Sequence, residues 1–169
     1  MRLLYLTLFC INIFISGPAL SASSNVVQKL STDTLPLYST TYDPERDVFA
    51  DGAAAIELAS HTQRRILIEL GGDWCKWCHE MDTFFDKNPD IKQKLHETFV
   101  MLKVNVSEAN DNAAFLKAFP KPLGYPHMYV SDSSGKVLWS QDTAEFLKNG
   151  QYDRESFLSF FKRWEKLAK

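Results

Sequence analysis

The chain has 169 residues, with 19 Lys+Arg against 21 Asp+Glu and a formal net charge of −2. That length suits one domain with a core of its own, and the charge balance supplies no basic surface for a phosphate backbone, so no nucleic-acid partner is expected. Seven Gly and seven Pro are too few for a collagen-like or low-complexity chain.

Arg2 is followed by an apolar stretch over 3–15, then Gly17, Pro18 and the small residues of 19–23. This is the three-part layout of a secretory signal peptide over 1–22, with cleavage expected after Ser21 or Ala22. The apolar run falls short of the ~20 residues that span a bilayer, and it contains Asn12. Cys10 is not preceded by a small residue, which argues against lipid modification. An exported chain with no stable membrane insertion after cleavage is the expectation.

Residues 23–46 read as a polar N-terminal arm, with one edge strand near 35–38, and the domain proper as 47–169. Residues 51–60 are rich in helix formers, with Asp51 placed as N-cap. The β-prone run over 65–70 reads as a buried strand ending at Gly71-Gly72. Helical composition resumes behind Cys75 to about residue 85. Asn88-Pro89-Asp90 opens a second helix to about residue 97. Residues 99–106 form the next strand, and 110–119 a helix ended by Pro120 and Pro122. Strands over 127–130 and 136–139 flank a turn at 131–135. The last helix, 153–168, carries Phe157, Phe160, Phe161, Trp164 and Leu167 at the spacing of a core-facing side. Strands separated by helices imply parallel pairing, and the late hairpin adds an antiparallel pair. The fold class is α/β, a mixed central sheet with helices on both faces.

Once the signal segment is removed, the cysteines are Cys75 and Cys78, in Cys-Lys-Trp-Cys. Export favours their meeting as a disulfide. As a staple such a bond contributes little: the chain-entropy model gives about 1.9 kcal/mol for a four-residue loop against ~4.7 for a 100-residue loop. Disulfide exchange is the better use. It needs one exposed thiolate to attack and a second thiol to resolve the mixed disulfide. Free cysteine near pKa 8.5 is only about 3% ionised at pH 7, so the attacking sulfur must be acidified. Cys75, at the start of a helix, has unpaired N–H groups and the helix dipole to do this, with Lys76 and His79 nearby. Cys75 is therefore the expected nucleophile, and Cys78, one turn in and more buried, the resolving thiol.

Gly72-Asp73-Trp74-Cys75-Lys76-Trp77-Cys78-His79 resembles the Gly-x-Trp-Cys-x-Trp-Cys-His site of the exported branch of the thioredoxin superfamily. The resemblance covers about 49–169 and implies a thioredoxin-like fold. It makes Glu69 the buried acid that takes the proton of the resolving cysteine. Lys103, in Lys103-Val104-Asn105-Val106, becomes the lysine beside that acid, and Gly124-Tyr125-Pro126 the cis-proline loop facing the disulfide. A buried carboxylate without a cation is costly, which independently favours pairing Glu69 with Lys103. Lys76-Trp77 replaces thioredoxin's Gly-Pro, so the potential does not transfer, and Glu69 is one methylene longer than the family's Asp.

The expected function is thiol–disulfide exchange with partner proteins in a bacterial periplasm. The partners are protein disulfides or dithiols and an upstream redox donor, and the chain is expected to be a monomer. Catalysis falls to Cys75, Cys78, Glu69 and Lys103. Trp74 and Trp77 form an apolar lip, and Tyr125 and Pro126 bind substrate by strand addition. No cofactor and no metal is called for. Two alternatives share the motif. Cys75-Lys-Trp-Cys78-His79 is also the Cys-x-x-Cys-His of covalent haem attachment, which predicts a mostly helical fold. A Cu or Zn relay would use Cys75, Cys78 and His79, with His127 as fourth ligand.

Overall fold

The computed structural model describes residues 35–165. The expected signal segment, the first part of the arm and the end of the last helix lie outside the described residues. The elements in chain order are α1 Val48–Thr62, β1 Arg65–Gly71, α2 Lys76–Lys87, α3 Pro89–Thr98, β2 Phe99–Asn105 and α4 Ala113–Leu116. Then follow β3 His127–Ser131, β4 Val137–Asp142, β5 Leu147–Lys148, β6 Gln151–Tyr152 and α5 Arg154–Glu165.

The main sheet runs β2-β1-β3-β4. β1 pairs parallel with β2 and antiparallel with β3, and β4 completes an antiparallel hairpin. Alternation along the strands divides the core in two. Leu67, Met101, Met128 and Val130 face α2, α3 and α5, where Met81, Phe85, Ile91, Leu95, Phe157 and Phe161 meet them. Ile66, Ile68, Leu70, Val100, Leu102, Val104 and Tyr129 face Ala55 and Ala59 of α1. Helices cover both faces, as expected of the mixed sheet. The aromatic stripe of α5 is core, with Phe157 stacked against Phe84 and tilted against Phe146.

Three local expectations need correction. Residues 35–38 are not an edge strand: Leu37–Ser39 is a 3-10 turn. Pro36 has no N–H for a ladder, and Ser39 Oγ instead donates to the Met101 carbonyl at 2.8 Å. α1 starts earlier than expected, capped by Asp47, whose carboxylate accepts from the Phe49 and Ala50 N–H groups. Asp51 lies within the first turn, held by the Arg46 guanidinium. The helix expected over 110–119 shrinks to the single turn of α4 because Asn and Asp side chains compete for its backbone. Asn110 accepts from the Asn112 N–H, Asp111 from that of Ala113, and Asn112 takes a left-handed φ of 51°. The β5–β6 hairpin, turning at Asn149 and Gly150 with φ of 52° and 72°, is an additional element.

Candidate active site

β1 ends against bare backbone and the chain turns at once into α2. Cys75 N–H donates to the Gly72 carbonyl, closing that turn, and Cys75 becomes the N-cap of α2. Its Sγ accepts from the Cys78 backbone N–H at 3.2 Å, so a helix-terminal donor already points at the sulfur that would carry negative charge. Cys75 and Cys78 are joined as a disulfide, S–S 2.04 Å.

The disulfide is more enclosed than the sequence implies. Cys78 is fully buried, as expected of a resolving thiol, but Cys75 is only 3% exposed. Tyr42 from the arm packs on the pair to form a small cluster, and Tyr125 packs against that cluster. The Tyr125–Pro126 bond is cis. Tyr125 also meets Trp74 edge to face, ring centroids 5.4 Å apart. Trp74 is 57% exposed and is anchored at its polar end, where Nε1 donates to the Val106 carbonyl at 2.6 Å. Trp77, 40% exposed, lies against Tyr152, whose hydroxyl donates to the Trp77 carbonyl. Each cysteine thus follows an exposed indole in the chain. Thr143 secures the proline loop, its hydroxyl donating to the Pro126 carbonyl.

Beneath the sulfurs lies a buried polar cluster. Glu69 of β1 sits beside Lys103 in the β1–β2 register and is 1% exposed. Their separation, Nζ to Oε1, is 3.8 Å. The tighter partner of Lys103 is Asp82 of α2, both of whose carboxylate oxygens accept from Nζ, at 2.6 and 2.7 Å. Glu69 has its own hydrogen bond, from the Tyr42 hydroxyl. The expected Glu69–Lys103 pair is thus present but loose, because Asp82 competes for the ammonium. Burial pushes the Glu69 carboxyl up from its ordinary value; Lys103 pulls it down and Asp82 raises it further. Burial works against the Lys103 charge, yet Glu69 and Asp82 outweigh it and hold the ammonium above its ordinary range. Burial, then the Glu69 charge, drive the Tyr42 phenol well up, keeping it neutral.

Glycine makes this packing possible. A methyl group on Gly71 would lie 2.5 Å from Cys78 Sγ and 2.7 Å from Tyr42 Cζ. On Gly72 it would lie 2.6 Å from Trp74 Nε1. The arm, β1 and α2 therefore meet at closest approach around the disulfide.

Tyr42 and Asp82 are absent from the sequence reading. Asp82 carried a signal, since it follows Cys78 by four residues on one helix face. Tyr42 carried none, lying in a stretch without apolar periodicity. His127, the fourth ligand of the metal alternative, turns elsewhere: its Nε2 is 2.8 Å from Ser140 Oγ and its ring packs on Tyr129. Among the described residues no three His, Cys, Asp or Glu side chains converge as a ligand set. The sheet-centred fold is not the helical wrap that the haem alternative requires.

Comparison with known proteins agrees with this geometry. A thioredoxin-like family model matches residues 47–133. The chain belongs to the thioredoxin-like family. Among curated relatives, the thiol:disulfide interchange protein DsbD of Actinobacillus pleuropneumoniae is 27% identical over 96 residues, covering 57% of this chain and 16% of the relative. The DsbD of Citrobacter koseri is 31% identical over 78 residues, covering 46% of this chain and 14% of the relative. The chain thus spans only a small part of the length of these relatives. Among solved structures, a disulphide isomerase from Xylella fastidiosa Temecula1 superposes with TM-score 0.59 at 23% identity, covering 76% of this chain and 95% of that one. The oxidised DsbD C-terminal domain of Neisseria meningitidis gives 0.55 at 19% identity, covering 73% and 98%. At such identities the likeness establishes the fold.

Proposed function

We propose that this thioredoxin-like chain is an exported thiol–disulfide oxidoreductase that exchanges disulfides with partner proteins. The observation that carries the reading is the disulfide between an N-cap cysteine and a fully buried one, packed against Tyr125 of the cis-proline loop. Reduced Cys75, acidified by the α2 N-terminus, attacks the partner disulfide and releases one partner thiolate. Cys78 gives its proton to Glu69 and attacks Cys75, so the second partner thiolate leaves and the Cys75–Cys78 bond reforms. The partner gains two electrons and the cysteine pair loses two; reversal oxidises the partner. Lys103 limits the cost of a charged Glu69. Trp74, Trp77, Tyr125 and Pro126 form the docking lip, with the Tyr125 backbone receiving an extended segment of the partner. Export through the segment over 1–22 and a periplasmic setting fit a partner rich in disulfides. Among the described residues no helix is long and apolar enough to cross a membrane. An upstream dithiol donor resets the cycle, and the working unit is a monomer.

The test is insulin reduction by the chain with a dithiol supply. Cys75→Ser abolishes it, and Cys78→Ser accumulates mixed disulfides through Cys75. Activity retained in Cys75→Ser overturns the assignment.

A further inference from the structure

Three observations meet at the Tyr42 hydroxyl. It donates to Glu69 Oε1, so the carboxylate's direct hydrogen bond goes to the phenol. A methyl group on Gly71 would lie 2.8 Å from this hydroxyl and 2.5 Å from Cys78 Sγ, so phenol and sulfur both crowd the same bare stretch of backbone. Tyr42 also shares one packed cluster with Cys75 and Cys78, and its ring lies 4.5 Å from Lys103 Nζ. Resting on the role of Glu69 proposed above, we propose that Tyr42 relays the Cys78 proton to Glu69, making the N-terminal arm a working part of the site.

With a partner held on Cys75 as a mixed disulfide, Cys78 is a thiol. Its S–H bond breaks as the proton passes to the Tyr42 oxygen. The phenol's own proton moves along the existing hydrogen bond to Glu69 Oε1. Tyr42 is neutral before and after. The freed electron pair on Cys78 Sγ attacks Cys75 Sγ, the bond from Cys75 to the partner breaks, and the partner sulfur leaves as thiolate. One disulfide forms, one is lost, and the proton ends on the carboxylate.

The surroundings suit this path. Lys103 faces Glu69 from β2, Asp82 from α2, Tyr42 from the arm, and Tyr152 of β6 lies within reach of the Glu69 charge. Burial first, opposed by Lys103 and by the Tyr42 hydrogen bond and helped by Asp82, leaves Glu69 a better proton acceptor than an exposed carboxylate. A group that only plugged the site would need the ring but not the hydroxyl, which gives the test.

The full chain with Cys10→Ser is reduced and mixed with 5,5′-dithiobis(2-nitrobenzoate) across a pH series. The first chromophore released reports attack by Cys75 and the second reports resolution by Cys78. Tyr42→Phe keeps the ring. It is expected to leave the first phase within about two-fold and to slow the second about ten-fold at pH 7. The deficit should narrow as pH rises, because hydroxide increasingly takes the thiol proton without the relay. A second phase unchanged in rate and pH profile overturns the relay. Glu69→Gln separates the two levels: if it slows the second phase and Tyr42→Phe does not, the relay falls and the role of Glu69 stands. If neither slows it, both fall. Mixtures of light and heavy water give a reading that does not require the variant to fold. With Tyr42 in place, two protons in flight bow the dependence of the second phase on deuterium fraction, and a linear dependence overturns the relay.

Discussion

Replacing Gly71 with alanine tests the closeness of the arm, β1 and α2 while leaving every side chain of the site chemically unchanged. The added methyl would lie 2.5 Å from Cys78 Sγ, 2.7 Å from Tyr42 Cζ and 2.8 Å from its hydroxyl oxygen. Neither neighbour yields easily. The sulfur is tied to Cys75, and the phenol is buried and bonded to Glu69. Overpacking a filled core costs about 1–3 kcal/mol, and contacts this short on constrained atoms place Gly71→Ala near about 3 kcal/mol. With a urea slope of about 1–3 kcal/mol per molar, the midpoint should fall by about 1–3 M. Gly124→Ala is the matched control, because nothing lies within 4 Å of the methyl it adds. It should stay within about 0.5 kcal/mol of the parent. Urea unfolding of the oxidised chain measures both. A Gly71→Ala variant as stable as Gly124→Ala would refute the claim that these three elements close on one another at the disulfide.

Two further outcomes follow from groups around the site and in the core. His96 is buried in the last turn of α3, and burial, with Lys92 and Arg64 adding to it, lowers its pKa to about 4. The unfolded chain takes up this proton near 6.5 while the folded chain refuses it until about 4. The contribution to stability is therefore whole above pH 6.5 and lost as pH falls through that window. It amounts to about 3 kcal/mol at most, and denaturation midpoints of His96→Leu should show a shallower fall than the parent's between those values. Trp74→Ala removes an exposed ring, its contact with Tyr125 and one hydrogen bond, so it should cost about 1 kcal/mol of stability. Insulin reduction should nevertheless drop several-fold while reduction of a small aromatic disulfide holds; equal losses on both would remove Trp74 from the docking lip.

The parts of the molecule legible in its sequence are those written in local pattern. Apolar runs mark β1 and β2, Asn88-Pro89-Asp90 marks the start of α3, and the spaced aromatic residues of α5 mark its buried side. The Cys75–Cys78 pair and the glycines before it identify the site because their chemistry depends on a strand-to-helix turn. What stayed hidden depends on distance along the chain or on competition between partners. Tyr42 reaches Glu69 from 27 residues away, out of a segment with no periodicity. Lys103 is adjacent to Glu69 by register, but a carboxylate one helix away takes the shorter bond. The starts of α1 and α4 shifted because several Asp and Asn side chains were available as caps, and neighbouring groups such as Arg46 decided which one acted. The β5–β6 hairpin is absent from the sequence reading, although Asn149-Gly150 is a pair suited to a two-residue turn.

The proposed exchange requires unequal sulfurs, with Cys75 at the start of α2 held ionised and Cys78 behind it held as the resolving thiol. Alkylating the reduced chain with iodoacetamide over a pH series, with the modified residue located by mass spectrometry, measures this directly. Modification should fall on Cys75, with a midpoint well below the about 8.5 of free cysteine, and spare Cys78. Equal modification of both thiols with the midpoint of free cysteine would contradict it.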